Sequence, residues 1–194
     1  MKVMLISILV LFASCPLKEK SIPQAVTNPM PVPAVAITLD TIPSKPLATP
    51  VSGYINTGTT TPAEVLAFAK TLQGIPYRYA STDPAYGFDC SGFITFVFNH
   101  FGIAVPRSSV DFTHVNREVP LSMSKPGDLI LFTGTDSTTR VVGHMGILTS
   151  AANGDYQFIH STSGKSYGVT ISPLSRYYLG RFVKVVRIFP ENDL

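Results

Sequence analysis

The polar and apolar positions of this 194-residue chain fall into regimes with different periods. The first clear period begins at Thr61. Val65, Leu66, Phe68, Ala69 and Leu72 recur at helical spacing. Thr61-Pro62-Ala63-Glu64 opens this segment with Thr at N-cap, Pro at N1 and Glu at N3, a capping box, and Gly74 closes it. Ile75–Tyr79 reads as extended and leads into a loop of small and turn residues. After Asp89 come twelve residues whose only polar members are Ser, Thr, Asn and His, up to Gly102. That run predicts a buried helix with Asp89 as N-cap and Gly102 just past its end. Val105–Ser109 reads as an extended link and Val110–Arg117 as a short helix. Beyond the turn Lys125-Pro126-Gly127-Asp128 the period drops to two. Strands are predicted over 129–133, 144–149, 156–160, 168–171 and 182–189, with a hairpin loop over Ala151–Asp155 that contains Asn153-Gly154. Helices come first and strands follow as a meander. This order predicts an α+β fold, with N-terminal helices packed on an antiparallel sheet of about five strands.

The first 60 residues carry neither period. Met1-Lys2 is a short basic start, and Val3–Ala13 is apolar apart from Ser7. This stretch is shorter than the roughly 20 residues of a spanning helix and fits the core of an export signal. Pro16–Thr60 holds eight of the sixteen prolines, and from Ser21 onward its only charges are Asp40 and Lys45. It is expected to be an extended tether, although part of it, such as Pro33–Leu39, could lie against the domain. The division expected is a signal over 1–15, a tether over 16–60 and a folded domain over 61–194. The composition, 45% apolar and 14% charged, allows a proper core. The formal charge is +3, but Thr61–Leu194 holds eleven Lys and Arg against ten Asp and Glu, which is +1. There is no basic patch with a nucleic-acid motif, so no nucleic-acid partner is expected, and the chain is expected to act as a monomer.

Two cysteines and four histidines remain to be placed. Phe12-Ala13-Ser14-Cys15 resembles the lipobox of bacterial lipoproteins, with Phe12 departing from the usual aliphatic residue. The resemblance implies lipid on Cys15 and a membrane anchor; an ordinary cleaved signal is the alternative. Cys90 is then an unpaired thiol in an exported chain, which suggests reactivity, against the alternative of a small core residue. In the first turn of its helix it meets the helix dipole and free N–H groups, which stabilise a thiolate. His100 lies about three turns along that helix, roughly 15 Å away, and His114 sits in a polar segment. His144 and His160 are centred on residue 152. A five-residue loop would place them directly opposite each other on one sheet face, and this is the expectation. A two-residue Asn153-Gly154 turn would shift the register by three and part them. Paired on one face, His144 would take the thiol proton and His160 would orient its ring. The alternative is a pair of satisfied polar residues in a half-buried sheet. Two His and one Cys could ligand zinc, but no Cys-x-x-Cys or His-Glu-x-x-His spacing supports it, so no metal or cofactor is expected. Asp128, in its turn, is expected to make a local backbone hydrogen bond.

Six segments then resemble, in order, the motifs of the NlpC/P60 cell-wall peptidases: Ile75–Tyr79, Asp89–Phe93, Val105–Ser109, Pro126–Ile130, His144–Ile147 and Phe158–His160. The resemblance covers about Pro62 to Phe189. It implies a papain-like α+β fold with Cys90 as nucleophile, His144 as base and His160 as orienting residue. It also implies that Tyr77 positions or polarises the reacting group, and that Asp89, Ser91 and Ser109 lie near the substrate's amine. The implied substrate is a peptidoglycan stem peptide, cut after γ-linked D-glutamate and before a diamino acid. Ala80-Ser81 departs from the usual Gly-Gly, Asp111-Phe112 stands where glutamine is frequent, and no SH3-like wall-binding domain accompanies the tether. The expectation is an exported, lipid-anchored cysteine endopeptidase facing the bacterial cell wall. An N-acetylmuramoyl-L-alanine amidase with the same Cys-His machinery and a catalytically idle wall-binding lipoprotein are the alternatives.

Overall fold

The computed structural model describes residues 53–194, apart from Asn116 and Asn153. The expected signal, Cys15 and nearly all of the tether lie outside the described residues. Helix α1 (Pro62–Thr71) starts with the capping box: the Glu64 N–H donates to Thr61 Oγ1, and the Thr61 N–H donates to the Glu64 carboxylate at 2.8 Å. A small ribbon, β1 (Thr82–Asp83) and β2 (Gly87–Phe88), delivers the chain to α2 (Cys90–His100). Asp89 caps α2 by accepting the Gly92 N–H at 2.6 Å. The helix stops at Gly102, whose φ of 72° only glycine adopts cheaply.

Strand β3 (Arg117–Val119) follows a 3₁₀ turn at Ser109–His114, where a short α-helix was expected. Next come β4 (Leu129–Thr133), β5 (Val142–Ala152), β6 (Asp155–Thr162), β7 (Gly168–Pro173), α3 (Arg176–Arg181) and β8 (Phe182–Arg187). The main sheet has six antiparallel strands in the order β3-β8-β4-β5-β6-β7. The expected plain meander is therefore corrected, because β8 returns to lie between β3 and β4. Every residue of β4 is buried, so it needs a paired neighbour on each side, and β8 supplies the second.

The two faces of the sheet bury different clusters. Leu129, Leu131, Met145, Ile147 and Ile159 pack with Phe93, Ile94 and Val97 of α2 in the larger core. Ile130, Phe132, Leu148, Phe158 and Val185 form the smaller one, covered by Tyr178 of α3 and its neighbours. Ile55 is 0% exposed and belongs to the larger core. The ordered region therefore starts before Thr61, several residues earlier than the expected end of the tether. Tyr54-Ile55-Asn56-Thr57 is free of proline and offers an apolar anchor, and burying such a side chain stabilises by about 1.5–3 kcal/mol.

Candidate active site

The relation of the two histidines follows from the β5–β6 hairpin. Ala152 pairs with Asp155, so only two positions separate the paired strands. The expected five-residue loop is thus replaced by the tight turn, with Gly154 at a φ of 81°. Carried on without interruption, that register would place positions 144 and 160 on opposite faces. A bulge at Thr149 intervenes: Ser150 pairs with Gln157, but Leu148 pairs with Phe158 and Ile147 with Ile159. One absorbed residue reverses the alternation and returns both histidines to one face. They are diagonal neighbours, not directly opposed as expected, with His144 Nε2 2.8 Å from His160 Nδ1. Gly146 leaves room for them, since a Cβ there would lie 2.7 Å from the Phe158 ring and 3.1 Å from His160 Cβ.

A second bulge lies at the other end of β5. Phe132 pairs with His144 and Thr133 with Val142, which leaves Gly143 unpaired. A Cβ on Gly143 would come within 2.7 Å of Gly134 Cα, so the close approach of the two strands requires glycine. Cys90, the first residue of α2, brings its Sγ to 3.9 Å from the Gly143 carbonyl oxygen. Cys90, Gly143, His144 and Tyr77 line one cleft of about 770 Å³. The histidines stand among Phe132, Phe158 and Tyr178, on the face away from the apolar side chains of α2. His160 Nε2 lies 3.0 Å from Ser172 Oγ. If Nδ1 of His144 is to be a free base, Nε2–H must donate to His160 Nδ1. His160 then carries its proton on Nε2 and donates to Ser172.

Burial governs the protonation of all three groups. It pushes the Cys90 thiol up to about 11, with the Asp89 charge adding to the rise; backbone N–H groups of Ser91, Met145 and Cys90 act in the opposite sense. His144 is held well below its ordinary value by burial first, then by His160 and Arg181. His160 falls to about 3, from burial and then Arg181. Burial thus works against ionisation of the thiol and of both rings, in the opposite sense to the helix dipole. Tyr77 is raised by burial, then by the charges of Cys90 and Asp89.

The other residues singled out in the sequence lie outside this cleft. Asp89 is engaged: Arg107 Nη2 donates to its Oδ2 at 2.6 Å and Nη1 to its Oδ1 at 3.1 Å. Ser91 Oγ accepts from Arg107 at 3.0 Å. Ser109 opens the 3₁₀ turn, and neither it nor Asp89 and Ser91 lines the cleft with Cys90. His100 stacks on Phe68 with centroids 3.8 Å apart, and His114 is exposed. Asp128 does accept the Lys125 N–H, and also bonds Arg187 and Asn192. Among the described residues no three His, Cys, Asp or Glu side chains converge as a metal site would need. Sequence reasoning passed over Arg107, Ser172, Tyr178 and Arg181. Arg107 lies inside a motif already singled out. Ser172 could have been found from strand alternation once β6 and β7 were in register, whereas Arg181 sits on a helix too short to show a period.

Comparison with known proteins agrees with this architecture. The sequence profile of the NlpC/P60 family matches residues 74–187. The chain is 35% identical over 124 residues to the gamma-DL-glutamyl hydrolase of Bacillus subtilis (strain 168), which covers 64% of this chain and 29% of that protein. It is 36% identical over 122 residues to the murein DD-endopeptidase MepS/murein LD-carboxypeptidase of Escherichia coli (strain K12), covering 62% of this chain and 59% of that one. The chain thus spans less than two thirds of either relative's length. Among solved structures, an NlpC/P60 family protein from Bacillus cereus ATCC 10987 superposes with a TM-score of 0.60 at 28% identity, covering 70% of this chain and 42% of that one.

Proposed function

The chain belongs to the NlpC/P60 family, and on that premise we propose that it is an exported cysteine endopeptidase acting on peptidoglycan stem peptides. One observation carries the reading: Cys90 at the head of α2 shares a cleft with His144, whose Nε2 is bonded to His160 at 2.8 Å. As Cys90 Sγ attacks the amide carbonyl, its proton passes to His144 Nδ1. His160 holds the ring and shares the charge that forms on it. The C–N bond then breaks, His144 returns the proton to the leaving amine, and a thioester remains on Cys90. Water attacks the thioester with His144 again as base, releasing the acid and restoring the thiol. That Tyr77 lines the same cleft supports a role for it in orienting the reacting carbonyl.

The bond we propose is γ-D-glutamyl–diamino acid, a reading supported by the name of the Bacillus subtilis relative. The name of the Escherichia coli relative favours a second reading, a DD or LD bond in the same peptides. Digestion of purified wall fragments, read by mass spectrometry, decides between them. A γ-D-glutamyl cut leaves stems ending in D-glutamate on the glycan. A DD or LD cut leaves the diamino acid attached, and an amidase releases whole stems. Loss of every product in Cys90→Ala confirms the nucleophile, whereas a wild-type protein that cuts nothing is the idle wall binder. Slow thiol labelling near neutral pH does not identify the binder, because burial raises the thiol in the enzyme reading as well.

We also propose that Cys15 carries lipid and tethers the domain to a membrane, on the strength of the small residues before it. Membrane fractionation of Cys15→Ala tests this, and a variant that stays wholly with the membrane excludes that anchor.

A further inference from the structure

Arg181 closes α3 beside the two histidines. It is 8% exposed, yet it lines the cleft that holds Cys90. Its Nη2 donates to the Thr133 carbonyl at 2.8 Å and its Nη1 to the Tyr177 hydroxyl at 2.6 Å. Its Nε has no partner among the described residues. Their ion pairs engage Asp89, Glu118, Asp128 and Asp193, and none includes Arg181. A buried guanidinium without an anion is costly, and its fork of donors matches a carboxylate. Lys165 lines the same cleft, and no Asp or Glu does.

The position of this charge selects the part of a substrate it can meet. Arg181 acts on both His144 and His160. Arg107, the cation bonded to the cap at the head of α2, is already matched by Asp89. Among the residues that line the cleft with Cys90 and His144, the unmatched positive charges are therefore those of Arg181 and Lys165. His144 must reach the leaving amine to protonate it, so the leaving residue also stands close to His144. We propose that Arg181, with Lys165 assisting, binds a carboxylate of the amino acid that leaves, so that the cleft selects leaving residues with a free carboxylate. This rests on the peptidase reading above.

The test uses L-alanyl-γ-D-glutamyl peptides of L-lysine or meso-diaminopimelate, with the α-carboxylate of the diamino acid either free or as its carboxamide. The wild-type kcat/KM should favour the free acid by roughly 10- to 100-fold. Arg181→Gln should bring that ratio close to one by slowing the acid much more than the amide, Lys165→Gln should lower it less, and Arg181→Lys should restore part of it. A wild-type protein that cuts acid and amide alike overturns the proposal without any variant being needed. So does an Arg181→Gln protein that slows both and keeps the ratio. Calorimetry on Cys90→Ala supplies a readout independent of turnover: the free diamino acid should bind at least about 10-fold more tightly than its carboxamide. Equal binding overturns the role of Arg181. Absence of any cleavage by the wild type, with that binding preference intact, sinks the peptidase reading and leaves the carboxylate site standing.

Discussion

Strands β4 and β8 run side by side with an arginine at each end of their pairing, and the two ends are built differently. At one end Arg187, next to the sheet edge, donates to both oxygens of Asp128, which is 0% exposed, and to the Met123 carbonyl. Asn192 and the Lys125 N–H fill the remaining valences of that carboxylate. At the other end Arg181 meets a carbonyl and a phenol, and one of its donors has no partner among the described residues. The closed end ties the C-terminal segment to the Pro126-Gly127-Asp128 turn. The open end faces the cleft. Similar residue types in one strand pair thus serve as a rivet where the charge is answered and as part of a binding wall where it is not.

Substitutions at the two ends should separate turnover from stability. The largest effect belongs to the open end: Cys90→Ala should abolish hydrolysis and His144→Ala should lower kcat/KM per folded molecule by at least about 10³-fold, both with the fold retained. A large loss of stability in either variant would blur the distinction. Next comes the closed end, where Asp128→Ala strands Arg187 and should cost about 3–5 kcal/mol in denaturant unfolding, while turnover per folded molecule stays as it was. A drop in turnover larger than the unfolded fraction would mean that the rivet also shapes the cleft.

Smaller effects sharpen the contrast. His160→Ala should slow turnover roughly 10- to 100-fold and His160→Asn less, because an amide oxygen can still accept the His144 Nε2–H. Acid should weaken the open end first. Both imidazoles are held below the ordinary histidine range of about 6.5, so below that pH the unfolded chain binds protons that the folded chain refuses. Stability is thus fully present above about 6.5 and falls as the pH drops toward about 3, where His160 itself titrates. The His160→Asn variant should show a shallower fall across that window in pH-dependent melting; an identical slope would show that His160 does not carry it. The smallest effect lies outside both ends. Ala80 holds a φ of 59°, a conformation that suits glycine, so Ala80→Gly should stabilise by about 1 kcal/mol in the same denaturant assay.

Local chemistry made the helices legible. The Thr61–Glu64 box and the Asp89 cap are short-range signals, and both are present in the fold. The sheet was legible as strands but not as an order, because the return of β8 between β3 and β4 is settled by the need to cover both edges of β4. The candidate site shows the same division. Cysteine before a helix and two histidines on apolar strands can be read from residue types alone. Their geometry could not, since the Asn153-Gly154 turn taken by itself parts the histidines and only the bulge at Thr149 rejoins them. Nothing in the local residues announces a bulge there. Ser172 and Arg181 depended on that same register and on a six-residue helix, so they stayed hidden.

The place of β8 also sets a timetable. It is the last strand of the described residues, yet it forms hydrogen-bonded ladders with both β3 and β4. A nascent chain that has emerged as far as β7 therefore holds Cys90, His144 and His160 but has an open flank along β4 and no Arg181. Such long-range closure is slow compared with local helix formation. Folding of the sheet, and with it the finished cleft, must wait for residues 176–187 to be released. A domain assembled in this order keeps its cleft incomplete until those residues are free to fold.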